Sequence, residues 1–233
     1  MMKWTGRLGA AACHNQGGAS DRQAPEMFPS SRLYAIVDSS WLGSLGAPAV
    51  AAQLLRAGVR ILQYRHKGPW TRQSWNQCRA LAEMAAASGA QFLVNDRADV
   101  ALLSGAAGVH LGQQDLPPEQ ARRLMGSRLI GFSTHSLEQA RQGERLGPAV
   151  DYLAIGPVFA TLTKQNPDPV VGLETVAAVR AAVVRPLVAI GGITLENARA
   201  VLDAGADAVA VARDLLANGD IASRARMFLE KLE

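Results

Sequence analysis

Residues 91–116 read QFLVNDRADVALLSGAAGVHLGQQDL, and their order of apolar and polar positions decides the fold. QFLVN (91–95) and GVHL (108–111) are short apolar runs of strand length, and the segment between them, 98–104, has helical spacing. Each run is followed within a few residues by an acid, Asp96 after the first and Asp115 after the second. A short helix and the second strand fit between these two carboxylates, so a parallel arrangement brings both over one end of a sheet. An oxygen-rich pair of that kind suits Mg2+ and a phosphorylated substrate. Taken singly, an Asp at such a place is more often a helix cap or a solvated loop residue.

The same alternation continues on both sides. Apolar runs recur at 33–37, 61–65, 129–133, 152–156, 186–190 and 208–212, which with the two above makes eight. Helical patterns at about 48–57, 71–88, 98–104, 117–125, 136–146, 173–182, 194–204 and 219–232 separate or follow them. Eight βα repeats in about 200 residues predict an α/β chain folded as a single-domain TIM (β/α)8 barrel, rather than an open sheet. Residues 1–30 show no periodicity and read as a flexible extension, leaving 31–233 as the barrel domain.

Composition narrows the function classes. With 48% hydrophobic and 19% charged residues in 233, the chain is an ordinary globular one. No apolar run is long enough to span a membrane, and the N-terminal stretch is too broken for a signal peptide, so the expected location is cytoplasmic. The formal charge of +4 is spread without aromatic interleaving, which argues against nucleic acid. Cys13 and Cys78 lack metal-like spacing and read as plain thiols.

In a barrel of this type, reacting groups stand at the C-terminal ends of strands. In ILQYRHK, the strand period puts Gln63, Arg65 and Lys67 on one face and Leu62, Tyr64 and His66 on the other. If the first face points inward, two cations are desolvated, at several kcal/mol unless an anion or a carboxylate pairs with them. The alternative is that the strand faces the other way. Further on, Thr161, Thr163 and Lys164 share a loop suited to closing over phosphate oxygens, although such a string is also a common solvated turn. Gly191 and Gly192 follow the seventh run, with Thr194 as the expected N-cap, and offer backbone amides at the usual phosphate site of such barrels.

Six strings, QYRHK, NDRADVAL, GVHLGQQDL, GFSTHS, IGPVFATLTK and VAIGGI, occur in that order over residues 32–216. Together they resemble the thiamine-phosphate synthase family, of the superfamily that also contains the thiazole tautomerases. The resemblance implies that Asp96 and Asp115 hold Mg2+, and that Arg65, Lys67, Asn95 and Lys164 hold the pyrophosphate of an aminopyrimidine diphosphate. It implies polar contacts from Gln63 and Ser133 near the reacting centre, with Arg65, Lys67, Ser133 and Lys164 as the catalytic set. Thr161 and Thr163 would contact the thiazole substrate, and Gly192 its phosphate. His135 and His110 read as structural and packing residues. The implied reaction joins 4-amino-5-hydroxymethyl-2-methylpyrimidine diphosphate to a thiazole phosphate or its carboxylated form, by a dissociative substitution that releases pyrophosphate.

Some positions depart from the family. His66 stands where an acid is usual, and Leu162 where Pro is common. Ala208 replaces a common glycine, and Ala212 and Arg213 replace an aliphatic residue followed by Ser that helps hold the thiazole phosphate. Arg213 either supplies a guanidinium contact to that phosphate in place of the hydroxyl, or points to solvent. A thiazole tautomerase working through His135 and a catalytically silent ligand-binding or regulatory barrel are the alternatives to the transferase. A homo-oligomer is left open.

Overall fold

The computed structural model describes residues 31–43, 45–161, 168–216 and 219–233. Its elements run β1 (Leu33–Asp38), α1 (Ala47–Arg56), β2 (Ile61–Arg65), α2 (Arg72–Ala87), β3 (Gln91–Asn95), α3 (Ala98–Ser104), β4 (Gly108–Leu111) and α4 (Pro118–Met125). They continue β5 (Leu129–Thr134), α5 (Leu137–Arg145), β6 (Tyr152–Ile155), α6 (Gly172–Ala182), β7 (Leu187–Ile190), α7 (Ala198–Asp203), β8 (Ala208–Val211) and α8 (Ile221–Leu232). Neighbouring strands are parallel, and β8 pairs with β1 to close the barrel. This is the TIM barrel expected from the eight apolar runs. The expected extension at 1–30, and Cys13 within it, lie outside the described residues. Among the described residues no helix is long and apolar enough to cross a membrane.

Strand alternation builds two apolar layers. Leu33, Ala35 and Val37 of β1 face outward and join the larger core under the helices, whereas Tyr34 and Ile36 face inward. The barrel interior is filled by Tyr34, Ile61, Leu93, Leu129, Tyr152 and Val188, with Ala154, Ala208 and Ala210 as the small partners that let the large ones interdigitate. Cys78 sits in the outer layer, its thiol pushed up to about 11 mainly by burial, so it stays protonated and inert at neutral pH.

Register places one residue with unusual weight. His110, Gly131 and Tyr152 lie opposite one another across β4, β5 and β6. A Cβ on Gly131 would fall 2.0 Å from Tyr152 Cζ, so the Tyr152 ring passes over the missing side chain and stacks at 5.6 Å on His110. Gly131→Ala must expel that ring from a closed interior. The expected cost is on the order of 3 kcal/mol, read as a lowered urea midpoint at an unchanged slope.

One element begins later than expected. Thr194 does not cap α7. Asn197 occupies that place, accepting from the Thr194 backbone N–H at 2.8 Å and donating to the Gly192 carbonyl at 3.1 Å. These bonds hold residues 194–197 in turns and delay the helix to Ala198.

Candidate active site

The C-terminal strand ends gather charge. Gln63 is buried among the inward-facing residues, and Asp38↔Arg65 pair in register at the top of β1 and β2. The inward orientation of the Gln63 face is therefore the one adopted. Its charge problem is solved by carboxylates. Arg65 Nη1 donates to Asp38 Oδ2, and Asp38, 1% exposed, also accepts from the Ser40 backbone N–H at 3.0 Å. Lys67 Nζ donates to Asp96 Oδ2 at 2.5 Å.

Asp96 is the one described residue other than glycine with a left-handed backbone, φ +64°. Asp tolerates that region better than most residues, and the Asp96 backbone N–H, donating to the His110 carbonyl at 2.8 Å, holds it there. The twist turns the Asp96 carboxylate off the end of β3 toward Lys67 and Asp115. Asp115 lies in the tight turn after β4 and accepts from the Gly112 backbone N–H at 2.7 Å. Burial, and then the neighbouring negative charge of Asp96, push the Asp115 carboxyl above its ordinary value, while the Gly112 N–H and Lys67 pull it down. Two carboxylates thus stand close enough to repel each other, and the Lys67 ammonium, paired with Asp96, also acts on Asp115. Among the described residues no set of three or more His, Cys, Asp or Glu side chains gathers for a metal, so any metal here would rest on a pair.

Asn95 is buried at the inward end of β3, and Ser133 is half-buried at the end of β5. Ser133 Oγ lies 2.8 Å from His110 Nε2, and His110 Nδ1 lies 2.8 Å from the Tyr152 hydroxyl. The expectation that His110 serves as packing is therefore incomplete. It faces the barrel interior and bonds through both ring nitrogens. Its register partners, Asn95 and Gly131, set that inward orientation. Asp38 was missed too, although it ends an apolar run just as Asp96 follows one.

Around β6 and β7 the backbone is tightly knit. The Val158 and Phe159 N–H groups donate to the Ile190 and Gly191 carbonyls at 2.9 and 3.0 Å. His135 Nδ1 is 2.6 Å from the Gly156 carbonyl and its Nε2 3.5 Å from Asp168 Oδ2, so it ties β5 to both sides of the connection before α6. Thr161 lies on the same connection; Thr163 and Lys164 fall outside the described residues. Gly192, at φ +66°, lies against this segment, and a Cβ there would be 2.5 Å from the Ala160 carbonyl oxygen. Gly192→Ala is expected to cost about 2–4 kcal/mol through the left-handed backbone and the clash, measurable by thermal denaturation. Ala212 packs against the barrel interior, and the Arg213 guanidinium sits 4.4 Å over the Trp41 ring.

A family model described as thiamine monophosphate synthase matches residues 33–215. The chain belongs to this thiamine monophosphate synthase family. The thiamine-phosphate synthase of Koribacter versatilis is 49% identical over 206 residues, covering 86% of this chain and 95% of that protein. That of Chloroflexus aurantiacus is 42% identical over 195 residues, covering 84% and 89%. A solved structure, the thiamine phosphate pyrophosphorylase from Pyrococcus furiosus, superimposes with a TM-score of 0.79 at 33% identity over 87% of this chain and 96% of that one. The matched span of the thiamine monophosphate synthase family covers the whole barrel from β1 to the turn after β8, including every described site residue above.

Proposed function

We propose that the chain is a thiamine-phosphate synthase, a transferase that joins 4-amino-5-hydroxymethyl-2-methylpyrimidine diphosphate to a thiazole phosphate and releases pyrophosphate. The observation that carries this reading is the cluster of Lys67, Asp96 and Asp115 at the mouth, in which, among the described residues, the Lys67 ammonium pairs with one of two mutually repelling carboxylates. Such a cluster is short of positive charge, and an all-oxygen pair fits a hard divalent ion that takes its remaining ligands from phosphates. Asp96 and Asp115 would hold Mg2+, which when bound supplies positive charge to the pyrophosphate.

The chain's own groups do the rest. As the carbon–oxygen bond of the diphosphate breaks, negative charge grows on the leaving group, and Lys67 and Arg65 stand ready to stabilise it. Arg65 is held in place by Asp38, so its guanidinium is oriented before a ligand arrives. By the family resemblance Lys164 adds a further cation and Asn95 a further polar contact. The substitution needs no protein nucleophile, because the thiazole nitrogen attacks the pyrimidine cation. Holding both substrates in one mouth supplies proximity, and Thr161 and Thr163 with the Gly192 backbone would seat the thiazole phosphate.

Arg213 is proposed to reach that phosphate from its place beside Trp41. Arg213→Ala should raise the KM for thiazole phosphate about tenfold, the worth of one charge-assisted contact, with kcat little changed. An unchanged KM would leave Arg213 as a partner of Trp41 alone.

Coupled turnover of the two substrates, with and without Mg2+, tests the whole reading. Pyrophosphate and thiamine phosphate should form in equal amounts, and only with the metal. Isomerisation of the thiazole without pyrophosphate release would mark a tautomerase, and binding without either product a silent barrel.

A further inference from the structure

Five polar side chains from five strands form one continuous chain of hydrogen bonds through the barrel. Gln63 Nε2 donates to the Tyr34 hydroxyl at 2.8 Å, and Tyr34 meets the Tyr152 hydroxyl at 3.0 Å. Tyr152 in turn meets His110 Nδ1, and His110 Nε2 meets Ser133 Oγ, both at 2.8 Å. Tyr34 and Tyr152 are each 1% exposed, Gln63 3% and His110 7%. Only Ser133, at the far end, is open toward the mouth.

Each hydroxyl has one hydrogen, so a chain of bonds that starts from the Gln63 amide runs in one direction. In that direction Tyr34 accepts from Gln63 and passes its own hydrogen to Tyr152. Tyr152 then donates to His110 Nδ1, which leaves the imidazole hydrogen on Nε2, and that hydrogen goes to Ser133 Oγ. Burial raises both phenols, so neither loses its proton and breaks the sequence. The Ser133 backbone is also held, its carbonyl accepting from Gln113 Nε2 at 2.6 Å.

We propose that His110 is a positioning residue for the reaction: by donating to Ser133 Oγ it fixes the Ser133 hydroxyl as a donor toward an acceptor atom of the bound ligand. A serine hydroxyl otherwise samples several rotors, and fixing one in advance removes that entropy cost from ligand binding. Gly131 belongs to the device, since only a residue without Cβ lets Tyr152 reach His110. The kinetic part of the proposal rests on the thiamine-phosphate synthase reading; the direction of the chain does not.

Two measurements test it. The first is 15N NMR of the histidine ring nitrogens in the ligand-free protein, with the His110→Gln spectrum giving the assignment. A neutral His110 carrying its hydrogen on Nε2 is expected, with Tyr152→Phe shifting the Nδ1 resonance; a hydrogen on Nδ1 overturns the proposal. The second is a double-mutant cycle on kcat/KM for the two substrates. His110→Leu should lose about tenfold, the worth of one positioned hydrogen bond. His110→Gln, which keeps a donor for Ser133, should recover most of that loss, and His110→Leu with Ser133→Ala should be no worse than Ser133→Ala. Additive losses, or no rescue by Gln, overturn the positioning role. Absence of turnover in the unmodified protein would count against the proposed function instead, and the ring-nitrogen spectrum would then decide the chain alone.

Discussion

Lys67→Ala lowers kcat by about 10²–10³-fold and leaves the fold intact, on the account developed for the mouth of the barrel. The activity loss follows from where Lys67 stands. Its ammonium, paired with Asp96 at 2.5 Å, would stand beside the leaving pyrophosphate on the proposed reading, and the truncation removes that charge from the transition state. The small structural effect follows from exposure. The Lys67 side chain is 50% exposed, and an ion pair in that setting is worth about 0–1 kcal/mol. Steady-state kinetics and a denaturation curve on the same preparation check both parts. A loss of activity matched by a loss of folded protein would show that Lys67 acts on stability.

Asp115→Asn separates function from stability with opposite signs. Burial and the Asp96 charge raise the Asp115 carboxyl in the folded state. A carboxyl raised on folding contributes stability while it is protonated and loses that contribution as pH rises through its folded value. Near pH 7 the ionised Asp115 is therefore a net cost to the fold. Asn keeps an oxygen to accept from the Gly112 N–H and drops the charge, so the thermal midpoint near neutral pH should rise, by a few degrees at most because solvent screens a partly exposed group. The gain should shrink on acidification, as the native carboxyl takes up its own proton. On the proposed reading activity should fall by about 10²-fold or more, since the variant loses an oxygen proposed to hold Mg2+. A variant that is less stable near neutral pH, or fully active, would contradict the description of these two acids as a strained pair kept for binding. Asn also tolerates the left-handed backbone at position 96, which makes Asp96→Asn the matching probe and Asp96→Ala a confounded one.

The sequence makes the barrel legible because each strand is a short apolar run with polar punctuation. The runs 61–65, 91–95 and 108–111 coincide with β2, β3 and β4. The start of α7 was not legible, since Thr194 before LENARAVL carries the local signature of a cap. What overrides it is the Asn197 side chain, which bonds back to Thr194 and Gly192 and extends the turn. At the site, Lys67, Asp96 and Asp115 could be found because charged residues just past strand ends are informative in this architecture. Asp38 satisfied the same criterion and was overlooked; its pairing with Arg65 across β1 and β2 is what permits an inward arginine. The Tyr34 to Tyr152 bond joins residues 118 positions apart, and only barrel closure brings them together. His110 shows why strand phase has to be counted within the strand: from Asn95 and Gly131, its register partners, it faces inward.

Asp96, Asp115 and Lys67 are proposed to form a metal-dependent pyrophosphate clamp. Calorimetric titration of pyrophosphate into the protein with and without Mg2+, repeated on Asp96→Asn with Asp115→Asn, tests this most directly. Tight binding only with Mg2+ is expected, with loss of that dependence in the double variant. Equal affinity with and without the metal, unchanged by the two substitutions, would contradict it.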